Sequence, residues 1–579
     1  MTDKRYGKWS KESDYPVADW LYGHRLMIGQ HWMEYTLEFL NVMAGFEYQL
    51  GQGIDLVDGK QDFTANPKEY KVPGRFGLRR FVFCDYGDSK VCPTDRSALH
   101  ILEDKLTKEH IDYVGGDNKQ ALEQVRYLLR SFTAIETGRS WFARSLFPVH
   151  DSFLLFESRR VTNKNIAKLN NGNKPTDHDV GMRTSDRNFY ARGGEIYYLM
   201  LSAGTHSLAE RREFISTQLK NLMMREESLG KLAQLVDSAW EHENERPSSL
   251  GWLPDKDCVS YQLAAEDMWV FLHNNIDQSH AIELLSHLIG FHLIQMLYRR
   301  TNQLSHNSFT MINGTNDPFK PKIPVDCVPT SANRAIRDIS MSFFKAQGDN
   351  QEKAVRVYLR GLILSWVNKF LTEIVNGEKL ERLNSAQTQM LLQELYNSSY
   401  AQFNIKQLHS GQKALFQNKY ESIKSNTLLA PEKVELFINV LTTTQLDRFR
   451  KTTMGIHGKI GRGIGLIAPK IGKSARYVLT TTLTEALVVA NIEPGNGGVE
   501  FVRFIEILYQ RYGLIIGPVQ ARQSELLEYR QIDRQFYKEN ELAFRRQLLS
   551  AGLLTEFSDA TAIVINPFEA VKANTTVLR

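Results

Sequence analysis

The stretch 279–300, SHAIELLSHLIGFHLIQMLYRR, sets the architecture of this chain. Its apolar residues recur near a 3.6 period over six turns, the pattern of a helix with one face or more against a core. Glu283, His287, His292 and Gln295 interrupt the apolar run between Ala281 and Tyr298, which makes it a poor membrane span and a good buried helix. The same period repeats outward at 121–132, 195–201, 208–224, 229–241 and 264–272, and after a break at 331–347, 353–375, 385–395 and 431–441. These repeats predict a mainly α, multidomain protein.

Punctuation divides it. Residues 1–120 form a mixed α/β region, in which 78–84, LRRFVFC, reads as a buried strand ending at Asp85-Tyr86-Gly87. A helical domain follows at 121–300, then a linker loop rich in Asn, Pro and Ser at 301–330, and a second helical domain at 331–447. A basic, glycine-rich segment occupies 448–478, and an apolar, β-branched stretch at 480–489 leads to the break Pro494-Gly495-Asn496-Gly497-Gly498. In 495–579, Phe501, Phe504, Ile505, Leu508 and Tyr512 share a helical face, and Gly513 is placed to end that helix in a left-handed conformation. Helices at 526–537 and 541–550 and a hairpin at 553–565 then predict a winged-helix-like domain.

The net charge of +5 over 579 residues, from 71 basic and 66 acidic side chains, excludes a polycation, so any electrostatic function must come from local clustering. The polar opening MTDKRYGKWSKESDYP has no apolar core, so no secretory signal is expected. Cys84, Cys92, Cys258 and Cys327 form no CxxC pair or metal-finger spacing, which points to free thiols in a cytoplasmic protein.

Clustering is found between Arg448 and Thr484, where no Asp or Glu occurs but Arg448, Arg450, Lys451, Lys459, Arg462, Lys470, Lys473 and Arg476 do, among six glycines. Charge of one sign on flexible backbone suggests phosphates, and the competing reading is a solvated basic loop with no partner. Gly472-Lys473-Ser474 matches the end of a nucleotide-binding loop. Ile467, however, stands where that motif needs its first glycine, and Pro469 removes an N–H from the cradle. In the winged-helix region the helix at 541–550 takes the recognition position. Arg545 and Arg546, with Arg534 and Lys538, then face a phosphate backbone, unless the domain serves protein contact instead.

Catalytic constellations are thin. Asp85, Asp88 and Lys90, with Glu69 or Asp62, have the local spacing of a metal-dependent nuclease, but Asp-Tyr-Gly-Asp-Ser is also ordinary turn chemistry. His280, Glu283 and His287 share a helical face that His292 leaves, so core histidines explain them without a metal. His150-Asp151 and Asp177-His178-Asp179 have no second cluster nearby. No cofactor is implied. Gly193-Gly194, ahead of the aromatic helix at 195–201, suits a tight junction in the core or, with Arg192, an anion at a helix start.

Phe189-Tyr190-Ala191-Arg192-Gly193-Gly194-Glu195-Ile196-Tyr197-Tyr198-Leu199 resembles large helical accessory proteins of multi-gene bacterial anti-phage systems, those that mark host DNA by methylation or phosphorothioation. So do Arg511-Tyr512-Gly513-Leu514-Ile515-Ile516-Gly517, Gly552-Leu553-Leu554, Ser558-Asp559-Ala560 and Asn566-Pro567-Phe568. The resemblance implies a non-catalytic partner of a defence ATPase, nuclease or methyltransferase. The resulting expectation is a subunit that grips duplex DNA phosphates and docks other subunits, away from membranes. The alternatives are the nuclease near Asp85, Asp88 and Lys90, and a protein scaffold without DNA.

Overall fold

The computed structural model describes residues 21–23, 26, 30–52, 55–57, 60–62, 69–72, 76–83, 99–102, 104, 118–134, 144–155, 193–239, 246–250, 253, 258–305, 317, 319–328, 334–406, 408, 410–472, 474–527, 532–557 and 561–571. Its first half contains α1 (Trp32–Gly45), α2 (Phe76–Phe83), α3 (Asn118–Ser131), α4 (Gly194–Gly204), α5 (Ala209–Met223), α6 (Glu227–Asp237), α7 (Val259–Phe271) and α8 (Gln278–Ser305). Two short antiparallel pairs involve this half, 55–57 with 60–62 and 69–72 with 246–249, the second joining the 1–120 region to residues well beyond it.

α8 is the axis of the molecule. It is long and apolar enough to cross a membrane, but 94% of its most apolar window is buried inside the protein. It packs on α1, α7 and helices from the second half. Several of its polar side chains find partners in place. Ser286 and Thr301 donate to carbonyls one turn back at 2.8 and 2.7 Å, Gln295 donates to the Tyr512 carbonyl at 3.1 Å, and Arg300 to that of Leu21 at 3.0 Å. Such satisfaction is what allows these groups into a core.

The predicted strand at 78–84 is a helix in the part described, α2. Leu78, Phe81 and Val82 lie at i, i+3 and i+4 and are buried with Leu122, Leu129, Ala233 and Val236 of α3 and α6. A short apolar run does not reveal its own period, and the neighbouring helices chose the 3.6 repeat. Gly194 opens α4 against α1. A Cβ there would stand 2.4 Å from the Tyr35 carbonyl oxygen, and its N–H donates to Glu38 at 2.8 Å, so the glycine pair makes a tight core junction.

The second half begins with α9 (Arg334–Glu373), followed by α10 (Ser385–Asn397), α11 (Ser399–Lys406), α12 (Ser410–Ser425) and α13 (Ala430–Thr452). In place of the two helices predicted at 331–347 and 353–375, α9 runs unbroken for 40 residues. Gly348 does not interrupt it: Gly348 and Gln351 are buried on the inner side of the helix, and Gln351 is held by His457 at 3.0 Å. Beyond Ile363, α9 joins α10, α12 and α13 in a bundle with a core of its own.

The last elements are α14 (Ile456–Gly463), α15 (Thr481–Asn491), α16 (Phe501–Tyr512), α17 (Pro518–Gln523) and α18 (Arg534–Ser550). The helix predicted at 526–537 begins only at Arg534, where the Asp533 carboxylate caps it by accepting from the Gln535 N–H at 2.9 Å. Gly513 ends α16 at φ 72°, as its placement predicts. Strands 554–556 and 562–564 form the expected hairpin, and 499–500 adds a third antiparallel strand. Strand 514–515 pairs in parallel with 323–324, so the loop at 301–330 carries a strand tied to the C-terminal region. Buried Asn540 of α18 tightens that tie: it donates to the Val325 and Ile516 carbonyls at 2.9 Å and accepts from the Cys327 N–H at 2.8 Å.

Candidate functional site

The basic segment is folded rather than loose. Arg448, Arg450 and Lys451 lie at the end of α13, Lys459 and Arg462 on α14, and Ile467–Ala468 pairs with Arg476–Tyr477 in a hairpin whose connection carries Lys470 and Lys473. The side chains of Arg448 and Lys451, and the whole of Lys473, lie outside the described residues. The glycines pack closely: at Gly465, φ is +79° and a Cβ would stand 2.0 Å from Thr480 Oγ1. The flexible backbone inferred from composition is therefore corrected, since these glycines allow close approach.

Several cations are already engaged. Arg450 makes a two-pronged pair with Glu352 at 2.7 and 2.8 Å and reaches Asp447 at 3.4 Å. Arg476 meets buried Asp326 at 2.7 Å, and Arg337 meets the same carboxylate at 3.4 Å. Arg462 donates to the Pro469 and Gly458 carbonyls at 3.1 and 3.3 Å. On α18, Arg545 pairs with Glu556 of the hairpin at 2.8 Å, while Arg546 is exposed. Lys459 and Lys470 are exposed as well. The acids missing from the sequence run are supplied across the fold, from Glu352 and Asp326, 98 and 150 residues away from their partners. Exposed positive charge is thus found at Lys470 and on the outer face of α18, where Arg534, Lys538 and Arg546 are exposed.

A second polar cluster, absent from the sequence reading, lies where α4, α7, α8 and α16 meet. Fully buried Asp267 accepts from Tyr512 Oη at 2.7 Å and from Arg511, and His292 Nε2 stands 2.7 Å from it. Tyr197 Oη is 2.9 Å from His292 Nδ1, so with Asp267 ionised the histidine donates through Nε2 and accepts from the tyrosine. Burial alone would raise the Asp267 pKa. The Arg511 charge, His292 and Tyr512 outweigh it and hold the carboxyl below its ordinary value. Burial, reinforced by Asp267, pushes the Tyr197 hydroxyl well up.

The order Tyr, His, Asp resembles that of a nucleophile with its base and orienting acid. Tyr197 has no exposed surface, however, and every member already has its partner, so the cluster locks four helices together. Arg511 also lines a surface groove of about 460 Å³ with Arg211, Glu266, Trp269, Arg503 and Gln510. No local spacing announces this cluster, because its members are spread from residue 197 to residue 512.

The remaining candidates part company. Asp85, Asp88 and Lys90, and Asp177-His178-Asp179, lie outside the described residues. His280 turns to Glu485 at 2.9 Å, His287 to its own helix and the Trp32 ring, and His292 to Asp267, so the three histidines face different partners. At His150-Asp151, where a cap at a helix start favours Asp, the cap of the short turn Asp151–Phe153 is instead His150, which accepts from the Ser152 N–H at 3.0 Å. Among the described residues no group of three or more His, Cys, Asp or Glu side chains is arranged to hold a metal.

A family model described as methylation-associated defense system protein MAD7 matches residues 256–567, from the start of α7 through the C-terminal hairpin. No curated protein and no solved structure matches the chain.

Proposed function

The chain belongs to the family of methylation-associated defense system protein MAD7, and from that premise we propose that it is a non-catalytic, DNA-binding subunit of a bacterial anti-phage complex. Family membership supports a role beside other subunits, such as an ATPase, nuclease or methyltransferase. The DNA part rests on one observation: Arg534, Lys538 and Arg546 stand at four- and eight-residue intervals along the exposed face of α18. Residues four apart on a helix share a face, and three cations on one face suit a row of phosphates.

The order α16, α17, α18 and hairpin supports a winged helix with α18 as its recognition helix, its third strand being 499–500. Phosphate contacts supply affinity with little sequence choice, so discrimination would fall to a partner. The reading places the protein in the cytoplasm, with the DNA it meets, and requires no cofactor.

Fluorescence anisotropy on a labelled duplex across a salt series tests it. Replacing Arg534, Lys538 and Arg546 by Gln lowers the slope of log affinity against log salt by about 0.9 for each phosphate no longer neutralised. An unchanged slope removes α18 from the interface.

A second reading, protein contact through the same helix, is favoured by Leu542 and Leu549 on α18 and Phe557 beside it, all about half exposed. In that case Leu542→Ser strips a complex subunit from the purified protein and leaves DNA affinity unchanged.

A further inference from the structure

Ile471, on the connection of the hairpin formed by Ile467–Ala468 and Arg476–Tyr477, is 91% exposed, the most exposed large apolar side chain among the described residues. We propose that this tip is a DNA wedge: Ile471 enters the minor groove of a duplex and parts one base step, while Lys470 holds the flanking phosphates. The proposal rests on the DNA reading above and adds how the duplex is deformed.

Three observations carry it. First, the hairpin's base is fixed to the core. Ile467 and Tyr477 are buried, the Tyr477 N–H donates to Ser340 Oγ at 2.7 Å, and its carbonyl accepts from the Asp326 N–H at 2.9 Å. The Val478 N–H closes on the Leu466 carbonyl at 2.8 Å, and Arg462 holds the Pro469 carbonyl at 3.1 Å. A wedge needs such a base, because force on the tip must not dissipate in the arm that carries it.

Second, the sequence around the tip carries charge of one sign. Lys470 precedes Ile471 and is exposed, Lys473 follows two residues later in sequence, and no acid occurs from Arg448 through Thr484. The carboxylate of Asp326 is engaged at the hairpin's base by Arg476 and Arg337.

Third, the apolar element is single. Pro469 is half-buried, and Gly472 beyond Ile471 has no side chain, so among the described residues the tip offers one branched aliphatic group next to Lys470. A protein interface needs a broad buried patch. One isoleucine at the end of a narrow ribbon matches the apolar side chains that separate a base step and kink DNA from the minor groove.

The test uses the full-length protein, a duplex with a donor and an acceptor dye at its ends, and anisotropy on the same duplex. Wild-type protein raises the end-to-end energy transfer as it binds. Ile471→Ala melts like wild type, because the side chain packs on nothing, and binds with an unchanged salt slope and roughly tenfold lower affinity at most. It abolishes most of the rise in transfer. Lys470→Gln keeps the bend and lowers the salt slope by about 0.9. Wild-type binding without a rise in transfer, or an Ile471→Ala protein that bends DNA as well as wild type, overturns the wedge and leaves DNA binding standing. No binding by wild type at any salt overturns both. If Ile471→Ala instead sheds a co-purifying subunit without altering the bend, the tip is a protein contact and the wedge is again overturned.

Discussion

Asp267 shows what a single buried carboxylate does in this molecule. It draws Arg511 and Tyr512 of α16 and His292 of α8 onto α7, and each of those groups depends on its charge. Removing one member of such a pair leaves the other buried and unanswered, so Asp267→Asn should cost about 3–5 kcal/mol, seen as a lower urea midpoint. A change within error would mean that the cluster tolerates a neutral centre. His457 is the other residue whose chemistry reaches the whole protein. Enclosed by Tyr298, Phe344 and Gln351, it has its pKa pushed down from 6.5 to about 4, mainly by burial and also by the Arg462 charge. The unfolded chain takes up this proton near 6.5 and the folded chain only near 4. The histidine's contribution is therefore whole above pH 6.5 and declines as pH falls toward 4, by about 3 kcal/mol in all. Urea midpoints measured between about pH 7 and 5 should fall, and His457→Gln should flatten that acid limb; an equally steep limb in the variant would assign it to other groups. Neither residue announces itself in sequence. Asp267 is one acid in an amphipathic stretch and His457 one histidine among glycines, and only burial with distant partners makes them special.

Among the elements, those whose signal is local are legible in the sequence. α8, α16, the left-handed stop at Gly513 and the hairpin of 554–556 with 562–564 follow from period and turn chemistry. α2 reads as a strand because its run is too short to show a period, and α9 reads as two helices because Gly348-Asp349-Asn350 looks like a break until Gly348 and Gln351 are seen to pack on the inner side of one helix. The basic segment misleads in a more instructive way. Its glycines read as looseness, yet Gly465 sits where the chain turns left-handed against Thr480 and closes the hairpin. Gly465→Ala should destabilise the protein by about 1–3 kcal/mol, read as a lower thermal midpoint, because the backbone must shift and φ is positive. A midpoint equal to that of wild type would show that the turn yields freely. Charge is over-counted in sequence for the same reason, since Arg450 and Arg476 look free there and are engaged by Glu352 and Asp326 in the fold.

For the whole molecule, the decisive fact is how the cores are shared. One core gathers residues from α1, α4, α7, α8, the middle of α9, the end of α13, the loop at 323–327, α14 to α16 and the C-terminal hairpin, while a separate one fills the bundle of α10, α12, the first part of α13 and the far end of α9. The bundle should therefore open on its own. Hydrogen exchange on the intact protein is expected to protect α8 most strongly and to release the amides of α10 and α12 earlier. Equal protection in both would mean that the long α9 couples them into one unit. A single sequence determined the helical class, the position of most helices, the turn residues and the overall charge, because those depend on neighbours within a turn or two. Only the tertiary structure decided which cations stay available, which glycines are packing contacts, and how α4, α7, α8 and α16 lock around Asp267. Ion pairs, close approaches and burial join residues a hundred or more positions apart, and that separation leaves no periodic trace in the chain.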